Sequence, residues 1–139
     1  MTLSEWIDFY DKKNPEDPFS PTPGYDFYFL EDKGFCEVRF TENMAIIAQV
    51  AGDGRFFRDK VEEVARKLGI KEGGTTCIRK EIRAYIRLFG YRIEREERLP
   101  DGEIRYYARH KKTGKWFRAS PAWRYKKSGE LAYYVTWEI

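Results

Sequence analysis

The chain has 139 residues and a mass of 16.6 kDa, which suits one domain over residues 1–139 with a buried core. Apolar residues make up 42% and aromatic residues 17%, too much for a disordered chain, and two cysteines with one histidine argue against a disulfide framework and a histidine-rich metal site. No apolar run approaches the roughly 20 residues of a membrane span, and the N-terminus lacks a signal pattern. We therefore expect a soluble, cytoplasmic domain with no metal and no membrane partner.

Charge is distributed unevenly along the chain. Residues 1–54 carry 4 Lys/Arg and 11 Asp/Glu, a net charge of −7. Residues 55–139 carry 22 Lys/Arg and 12 Asp/Glu, a net charge of +10. Two interpretations fit this asymmetry: the basic half has an anionic partner, or the acidic half covers part of the basic half in the fold.

The first 24 residues predict a helix and a connector. Thr2 and Glu5 have the spacing of a capping box at the start of a helix over Thr2–Lys13. Four prolines within Asn14–Gly24 predict an extended connector on the surface, because proline fixes φ and lacks a backbone N–H.

Three strands and a helix follow the connector. Aromatic-rich and alternating residues predict strands over Tyr25–Glu31 and Phe35–Thr41. The nearly continuous apolar run Met44–Val50 predicts a strand near the sheet centre that is covered on both faces. Apolar residues then recur with helical spacing over Phe57–Leu68.

The second half begins with a short predicted strand, Gly73–Cys77, and a second helical stripe over Ile78–Phe89 that Gly90 closes. Three turn signals beyond it separate extended segments, and Pro121 marks an edge or a bulge. We predict an α+β fold of three layers, with helices on the faces of a mixed, mostly antiparallel sheet. Residues 1–24 form the helix and connector, residues 25–98 the core, and residues 99–139 a C-terminal β-meander.

A glycine-containing segment with the pattern Q-x-x-G-x-G joins the third strand to the following helix. Its residues, with the one that follows, are Gln49, Val50, Ala51, Gly52, Asp53, Gly54 and Arg55. Glycines at such a place let phosphate oxygens approach the backbone, and a helix N-terminus offers N–H groups and a partial positive charge. A plain strand-to-helix connector has the same pattern, because Asp-Gly before a helix is a common turn.

This segment and the order of elements around it resemble the GNAT superfamily of acetyltransferases, over roughly residues 25–109. Members bind the pyrophosphate of acetyl-CoA with [Q/R]-x-x-G-x-[G/A] between a strand and a helix. In the family, a later helix ends with a glycine and then an aromatic residue. Ala84–Tyr91 matches this pattern here. The compact form is similar to GNAT-like proteins of tailed phages, whose T-x-x-R segment corresponds to Thr76 and Arg79.

The resemblance implies that acetyl-CoA or another acyl-CoA binds on residues 49–55, with an amine or a protein as acceptor. The position of the usual catalytic tyrosine holds Ile86, and Tyr85 lies about 100° away around the helix. The usual strand glutamate is also missing, and Glu37 and Glu42 are weak substitutes. Acetyl transfer can proceed by positioning alone, so the sequence leaves open whether the chain is an N-acetyltransferase with Tyr85 and Glu37 as its catalytic candidates.

Two basic segments admit other partners. Arg79, Arg83 and Arg87 recur every four residues on the second predicted helix and could contact phosphate. Residues 103–127 carry nine Lys/Arg and one acid, with aromatic residues interleaved, a pattern that suits single-stranded nucleic acid. For the arginine stripe, a solvated helix face is favoured over contact with phosphate. For residues 103–127, a half-buried meander with a basic outer face is favoured over nucleic-acid binding. The alternatives to an acyl-CoA protein are a non-enzymatic GNAT-fold phage protein that acts by protein interaction and, less favoured, a small basic nucleic-acid-binding module.

Overall fold

The computed structural model describes residues 1–78 and 81–139. The chain divides into two compact units, Met1–Lys71 and Glu72–Ile139, here called unit 1 and unit 2. Both mix helices with antiparallel strands, which confirms the predicted α+β class with a mostly antiparallel sheet. The expectation of one domain stays a prediction, and each unit is described by itself.

Unit 1 consists of two helices and three strands. In chain order its elements are α1 (Leu3–Lys13), β1 (Asp26–Leu30), β2 (Gly34–Phe40), β3 (Ala45–Gly52) and α2 (Gly54–Lys67). The strands pair antiparallel in the order β1-β2-β3. All five elements were predicted, but β3 reaches Gly52, two residues beyond the predicted end, so most of the glycine-containing segment is strand.

Helix α1 begins at the predicted capping box. The Thr2 hydroxyl accepts a hydrogen bond from the Glu5 N–H at 3.2 Å, and the Glu5 carboxylate accepts one from the Thr2 N–H at 2.9 Å. The Tyr10 ring lies 5.7 Å from the ring of Phe35 in β2, while the Trp6 Nε1–H donates to the Glu31 carbonyl. Local capping and aromatic contacts therefore fix α1 against the strands of unit 1.

Helix α2 buries an apolar stripe with the predicted helical spacing. Phe57, Val61 and Ala65 are all at least 95% buried, and the helix contacts β2 and β3. Alternation along β2 puts Phe35 on the side of α1 and its neighbour Cys36 on the opposite side. Both helices of unit 1 thus pack on β2 and β3.

Unit 2 consists of five strands and one helix within the described residues. Its elements are β4 (Glu72–Ile78), α3 (Ile82–Leu88), β5 (Tyr91–Arg98), β6 (Ile104–His110), β7 (Trp116–Arg124) and β8 (Leu131–Glu138). The strand order is β4-β8-β7-β6-β5, with antiparallel neighbours throughout. The consecutive neighbours β5 to β8 confirm the predicted meander.

Helix α3, which the second helical stripe predicted, begins later in the chain than expected. Ile78 is the last residue of β4 rather than the first of the helical stripe. The stripe continues correctly through the buried Ile82 and Ile86. Arg79 and Lys80 lie outside the described residues, and with Arg79 so do the last position of the T-x-x-R segment and the first member of the arginine stripe.

Pro121 lies at a bulge, as predicted, although β7 is an interior strand. It pairs with Tyr133 of β8, and the register shifts between Pro121 and Trp123. On the other side of β7, the pairing with β6 ends at Ala119. The missing N–H of proline therefore falls where β7 has only one neighbour, which removes the expected cost of proline inside a sheet.

Within the described residues, no helix has the length and apolarity that a bilayer crossing requires. In the same residues, no group of three or more His, Cys, Asp or Glu side chains is arranged to hold a metal ion.

Candidate functional site

The strand β3 ends in a close backbone approach at Gly52. Gly52 pairs with Gly34 at the start of β2, and both have positive φ, +96° and +114°. A Cβ on Gly52 would lie 2.1 Å from the Lys33 carbonyl oxygen, and one on Gly34 would lie 1.9 Å from the Ala51 carbonyl oxygen. Both glycines are therefore required by the backbone itself, whether or not a ligand binds.

Asp53 occupies the N-terminus of α2. Its N–H donates to the Lys33 carbonyl at 2.8 Å, and its Oδ1 accepts from the Phe56 N–H at 3.0 Å. The second carboxylate oxygen lies 3.7 Å from the Lys33 ammonium. A negative charge thus already caps the helix, where the sequence predicted a bound pyrophosphate, and Lys33 partly neutralises it.

Two backbone donors at the start of α2 remain available to a ligand. The N–H groups of Gly54 and Arg55 belong to the first turn, where no carbonyl lies one turn back in the helix. Gly54 has no positive φ, and a Cβ there would meet nothing within 4 Å. Arg55 is exposed, whereas Arg58 is buried and pairs with Glu62 at 3.1 Å. Of the two arginines near this turn, Arg55 is the one that can reach an anion.

Gln49 holds the proline-rich connector. Its Nε2 donates to the Ser20 carbonyl at 2.6 Å, to the Thr22 hydroxyl at 3.3 Å and to Glu37 Oε1 at 2.7 Å. Its Oε1 accepts from the Ser20 N–H. The first residue of the Q-x-x-G-x-G pattern is therefore engaged in a structural network on the side of residues 14–24.

Glu37 is the buried centre of the same network. It is 2% exposed, and its carboxylate accepts hydrogen bonds from the Thr22 N–H at 2.8 Å and the Thr22 hydroxyl at 2.7 Å, besides that from Gln49. The β2–β3 register shifts between Cys36 and Val38, which re-aims Glu37. These bonds account for the burial of a charged group, and a role as general base stays a prediction.

The thiol next to Glu37 is unreactive by its surroundings. Cys36 is 1% exposed, and burial, together with the negative charge of Glu37, raises its pKa to about 12. A thiol in this state stays protonated near neutral pH and is a poor nucleophile. The Cys36 side chain therefore contributes to the packing of the interior of unit 1.

The other two predicted cofactor-binding residues belong to the strand ladder. Val50 pairs with Cys36, and Ala51, which is 3% exposed, pairs with Phe35. Their backbones therefore belong to the pairing of β3 with β2. The structure thus brings Gln49 and Glu37 together, and Asp53 together with Lys33.

Tyr85 lies in unit 2, on the half-buried side of α3. Its ring is 4.8 Å from the Phe89 ring and 6.4 Å from the Phe117 ring. Ile86 is fully buried, so the position that holds tyrosine in many GNAT enzymes is part of the apolar core here. A catalytic role for Tyr85 stays a prediction.

Comparisons with known proteins support the fold. No family model matches the chain, and no curated protein matches it. Among solved structures, the chain is similar to Ard1 from Thermoplasma volcanium, with 14% sequence identity, 100% of this chain and 94% of that chain covered, and a TM-score of 0.50. The fold is GNAT-like. At 14% identity, this likeness is one of fold.

The sequence missed two residues that the site depends on. Lys33 reaches Asp53 because the register of β2 and β3 sets Gly34 opposite Gly52, and Thr22 reaches Glu37 from the connector. The signal for Lys33 was the Asp-Lys-Gly turn between β1 and β2. No local sequence pattern predicts the hydrogen bond of Thr22 with Glu37, a strand residue 15 positions away.

Proposed function

We propose that the chain binds an acyl-coenzyme A, with its pyrophosphate on the first N–H groups of α2. The observation that carries the proposal is the pair of donors at Gly54 and Arg55, directly after a glycine-terminated strand in a GNAT-like fold. Phosphate oxygens fit there because the helix start supplies N–H groups and a partial positive charge, and Gly54 has no side chain to block them.

Asp53 opposes the binding of an anion and sets its strength. Its carboxylate faces the same helix end, and Lys33 at 3.7 Å offsets only part of the repulsion because both side chains are substantially exposed. Replacing Asp53 by Asn keeps a capping side chain and removes the charge. We expect Asp53→Asn to bind acetyl-CoA more tightly by roughly three-fold, and more so at low salt, since the effect is electrostatic.

Gly54 allows a test that separates ligand binding from folding. Gly54→Pro removes one N–H donor at the first helical position, where proline is compatible with a helix. Gly54→Ala keeps the donor and adds a methyl group that meets no atom within 4 Å. Isothermal titration calorimetry with acetyl-CoA should show binding by the wild type and the alanine variant, and weaker binding, by about ten-fold, by the proline variant.

The proposal fails if acetyl-CoA gives no heat of binding to the wild type at millimolar concentration. It also fails if Gly54→Pro and Gly54→Ala bind acetyl-CoA equally while both keep the melting temperature of the wild type. Free coenzyme A carries the same phosphates but no acyl group. The difference between its affinity and that of acetyl-CoA therefore gives the contribution of the acyl group to binding.

The proposed reaction is transfer of the acetyl group from the thioester to an amine, by positioning of the two reactants. The amine nitrogen attacks the thioester carbonyl, the carbon–sulfur bond breaks, and the amine proton leaves to solvent or to the departing thiolate. Release of coenzyme A thiol in the presence of a panel of amines, followed with a thiol reagent, tests this step. Binding without thiol release supports the second candidate.

The second candidate is a non-enzymatic member of the fold that acts by protein interaction. Three features favour it: the buried Ile86 at the usual tyrosine position, the engagement of Glu37 in a structural network, and the capping of α2 by Asp53. The similarity to phage proteins belongs to this candidate as an expectation from the sequence. Absence of both acetyl-CoA binding and thiol release would place it first.

A further inference from the structure

Among the residues that the structure describes in unit 2, one face of the sheet has no helix of that unit on it. Helix α3 contacts the other face, where Arg83 lies over the Tyr106 ring and Tyr85 approaches Phe117. Side chains alternate along a strand, so their neighbours in sequence point the opposite way. We call this opposite surface the open face; its members used below are Arg95, Arg105, Tyr107, Arg109, Trp116, Arg118 and Trp123.

Arginine and glutamate side chains are mixed on the open face, and only part of the arginine charge is neutralised. Unit 2 carries 16 Lys/Arg and 9 Asp/Glu, a net charge of +7. On the open face, Arg105 pairs with Glu97 at 2.9 Å, and Arg109 pairs with Glu94 at 3.2 Å. Arg118 is exposed and has no ion-pair partner among the described residues.

Aromatic rings lie among these arginines. The Arg95 guanidinium sits 4.0 Å from the centre of the Tyr107 ring. Tyr107, Trp116 and Arg118 help to line a shallow cleft of about 330 Å³, with Glu72 and Glu94 among its other residues. The two carboxylates restrict where an anion can approach, and they leave Arg118 as the accessible cation of the cleft.

The rings are spaced along one strand. Trp116 and Trp123 lie at opposite ends of β7, and Trp123 is 46% exposed. At about 3.3 Å per residue, their backbones are roughly 20 Å apart. Arg118 lies between them and points to the same face as Trp116. A ring, a cation and a second ring thus follow one another along β7, with the bulge between Arg118 and Trp123.

We propose that the open face of unit 2 binds single-stranded nucleic acid. Unpaired bases stack on exposed aromatic rings, while arginines contact the phosphates between them. A duplex hides the faces of its bases in its own stack and so offers only its phosphates. The open face supplies both kinds of contact through the exposed Trp123 ring, the half-buried Trp116 ring and the exposed Arg118, and the net charge of +7 on unit 2 is complementary to a polyanion. This proposal does not depend on acyl-CoA binding, which was placed in unit 1.

The test measures fluorescence anisotropy of a labelled oligothymidylate of about 20 nucleotides with the full chain at about 50 mM salt. The single strand should bind at least ten-fold more tightly than a blunt duplex of the same length. The logarithm of its binding constant should fall linearly with the logarithm of salt concentration, since bound phosphates release counterions.

Two substitutions separate charge from stacking. Arg118→Gln should weaken binding about five-fold and reduce the salt slope by about 0.7, the value for one phosphate of a single strand. Trp116→Ala should weaken binding about ten-fold with no change of slope, and Trp116→Phe should restore most of it. Arg87→Gln is the matched control, because Arg87 is an exposed arginine on α3 and not on the open face.

Several results would overturn the proposal. One is no change of anisotropy at about 10 µM protein and about 50 mM salt. Another is equal affinity for duplex and single strand, which would indicate attraction by net charge alone. A third is equal loss in Arg118→Gln and Arg87→Gln. Competition by an acidic peptide as effective as by an oligonucleotide of the same charge would favour a protein partner instead.

Discussion

The two units solve the burial of polar groups in opposite ways. Unit 1 takes a carboxylate into its interior and satisfies it with hydrogen bonds from Thr22 and Gln49. It also brings two backbone segments into contact at Gly34 and Gly52. Unit 2 keeps its arginine–glutamate pairs at exposed or half-buried positions, two of them on the open face, and buries aromatic rings, with Trp137 only 1% exposed. Unit 1 therefore depends on a few specific polar and backbone contacts, and unit 2 on side-chain packing.

The largest expected effect concerns the backbone contact of unit 1. Gly52→Ala should lower the free energy of unfolding by about 3 kcal/mol or more, because a Cβ would lie 2.1 Å from a carbonyl oxygen at a φ of +96°. Chemical denaturation followed by circular dichroism measures the change. Gly54→Ala, two residues along, should stay within about 0.5 kcal/mol of the wild type. Similar losses in both variants would show that the contact does not hold unit 1 together.

This result also decides which glycine reports on a ligand. A bulky residue at Gly52 would be the direct test of coenzyme A binding if it left α2 intact. The structure shows that such a residue first disrupts the pairing of β2 with β3, because it meets the Lys33 carbonyl. Gly54 is the position where a substitution changes ligand contacts without that clash.

The corresponding test in unit 2 concerns a side chain in place of the backbone. A Cβ on Gly73 would lie 2.4 Å from Cε2 of the Trp137 indole. Gly73→Ala should therefore cost about 1–3 kcal/mol of unfolding free energy, less than Gly52→Ala, because a ring can shift more easily than a strand. In a double-mutant cycle, Trp137→Phe should recover part of the loss. Strictly additive losses would show that the ring does not oppose the methyl group.

A smaller effect is expected from the buried polar network of unit 1. Thr22→Val removes the hydroxyl that donates to Glu37 at 2.7 Å and leaves the backbone bond in place. We expect a loss of about 1–2 kcal/mol in unfolding free energy and faster proteolysis within residues 14–24. Thr76→Val, at an exposed position of β4, is the control and should change neither quantity. Unchanged proteolysis in Thr22→Val would mean that the other contacts of the connector, those of Gln49 and Phe19, secure it without the hydroxyl.

The smallest effect concerns a buried phenol of unit 2 at high pH. Burial raises the pKa of Tyr133 to about 12, with a further contribution from Tyr106. The unfolded chain loses this proton near pH 10, so the stabilisation is fully present below pH 10 and is lost as pH rises from about 10 to 12. Tyr133→Phe should flatten the decline of melting temperature in that range. Tyr134→Phe, at a residue 40% exposed, should leave the decline unchanged, and equal profiles for the two variants would contradict the assignment.

The sequence by itself determined the features that depend on neighbouring residues. The capping box of α1, the apolar stripe of α2 and the turn signals of the meander are local, because helix caps, helical periodicity and turns involve residues a few positions apart. The GNAT-like order of elements followed from them, and the comparison of structures supports it.

Only the tertiary structure decided what the site residues touch. The register of β2 and β3 sets Lys33 against Asp53, and the path of the connector sets Thr22 and Gln49 on Glu37. These partners are 12 to 20 residues apart, and many registers are compatible with the same alternation of residues. The glycines of the Q-x-x-G-x-G pattern were therefore visible in the sequence, but the carbonyl oxygen that makes Gly52 necessary came into view only when the strands were paired.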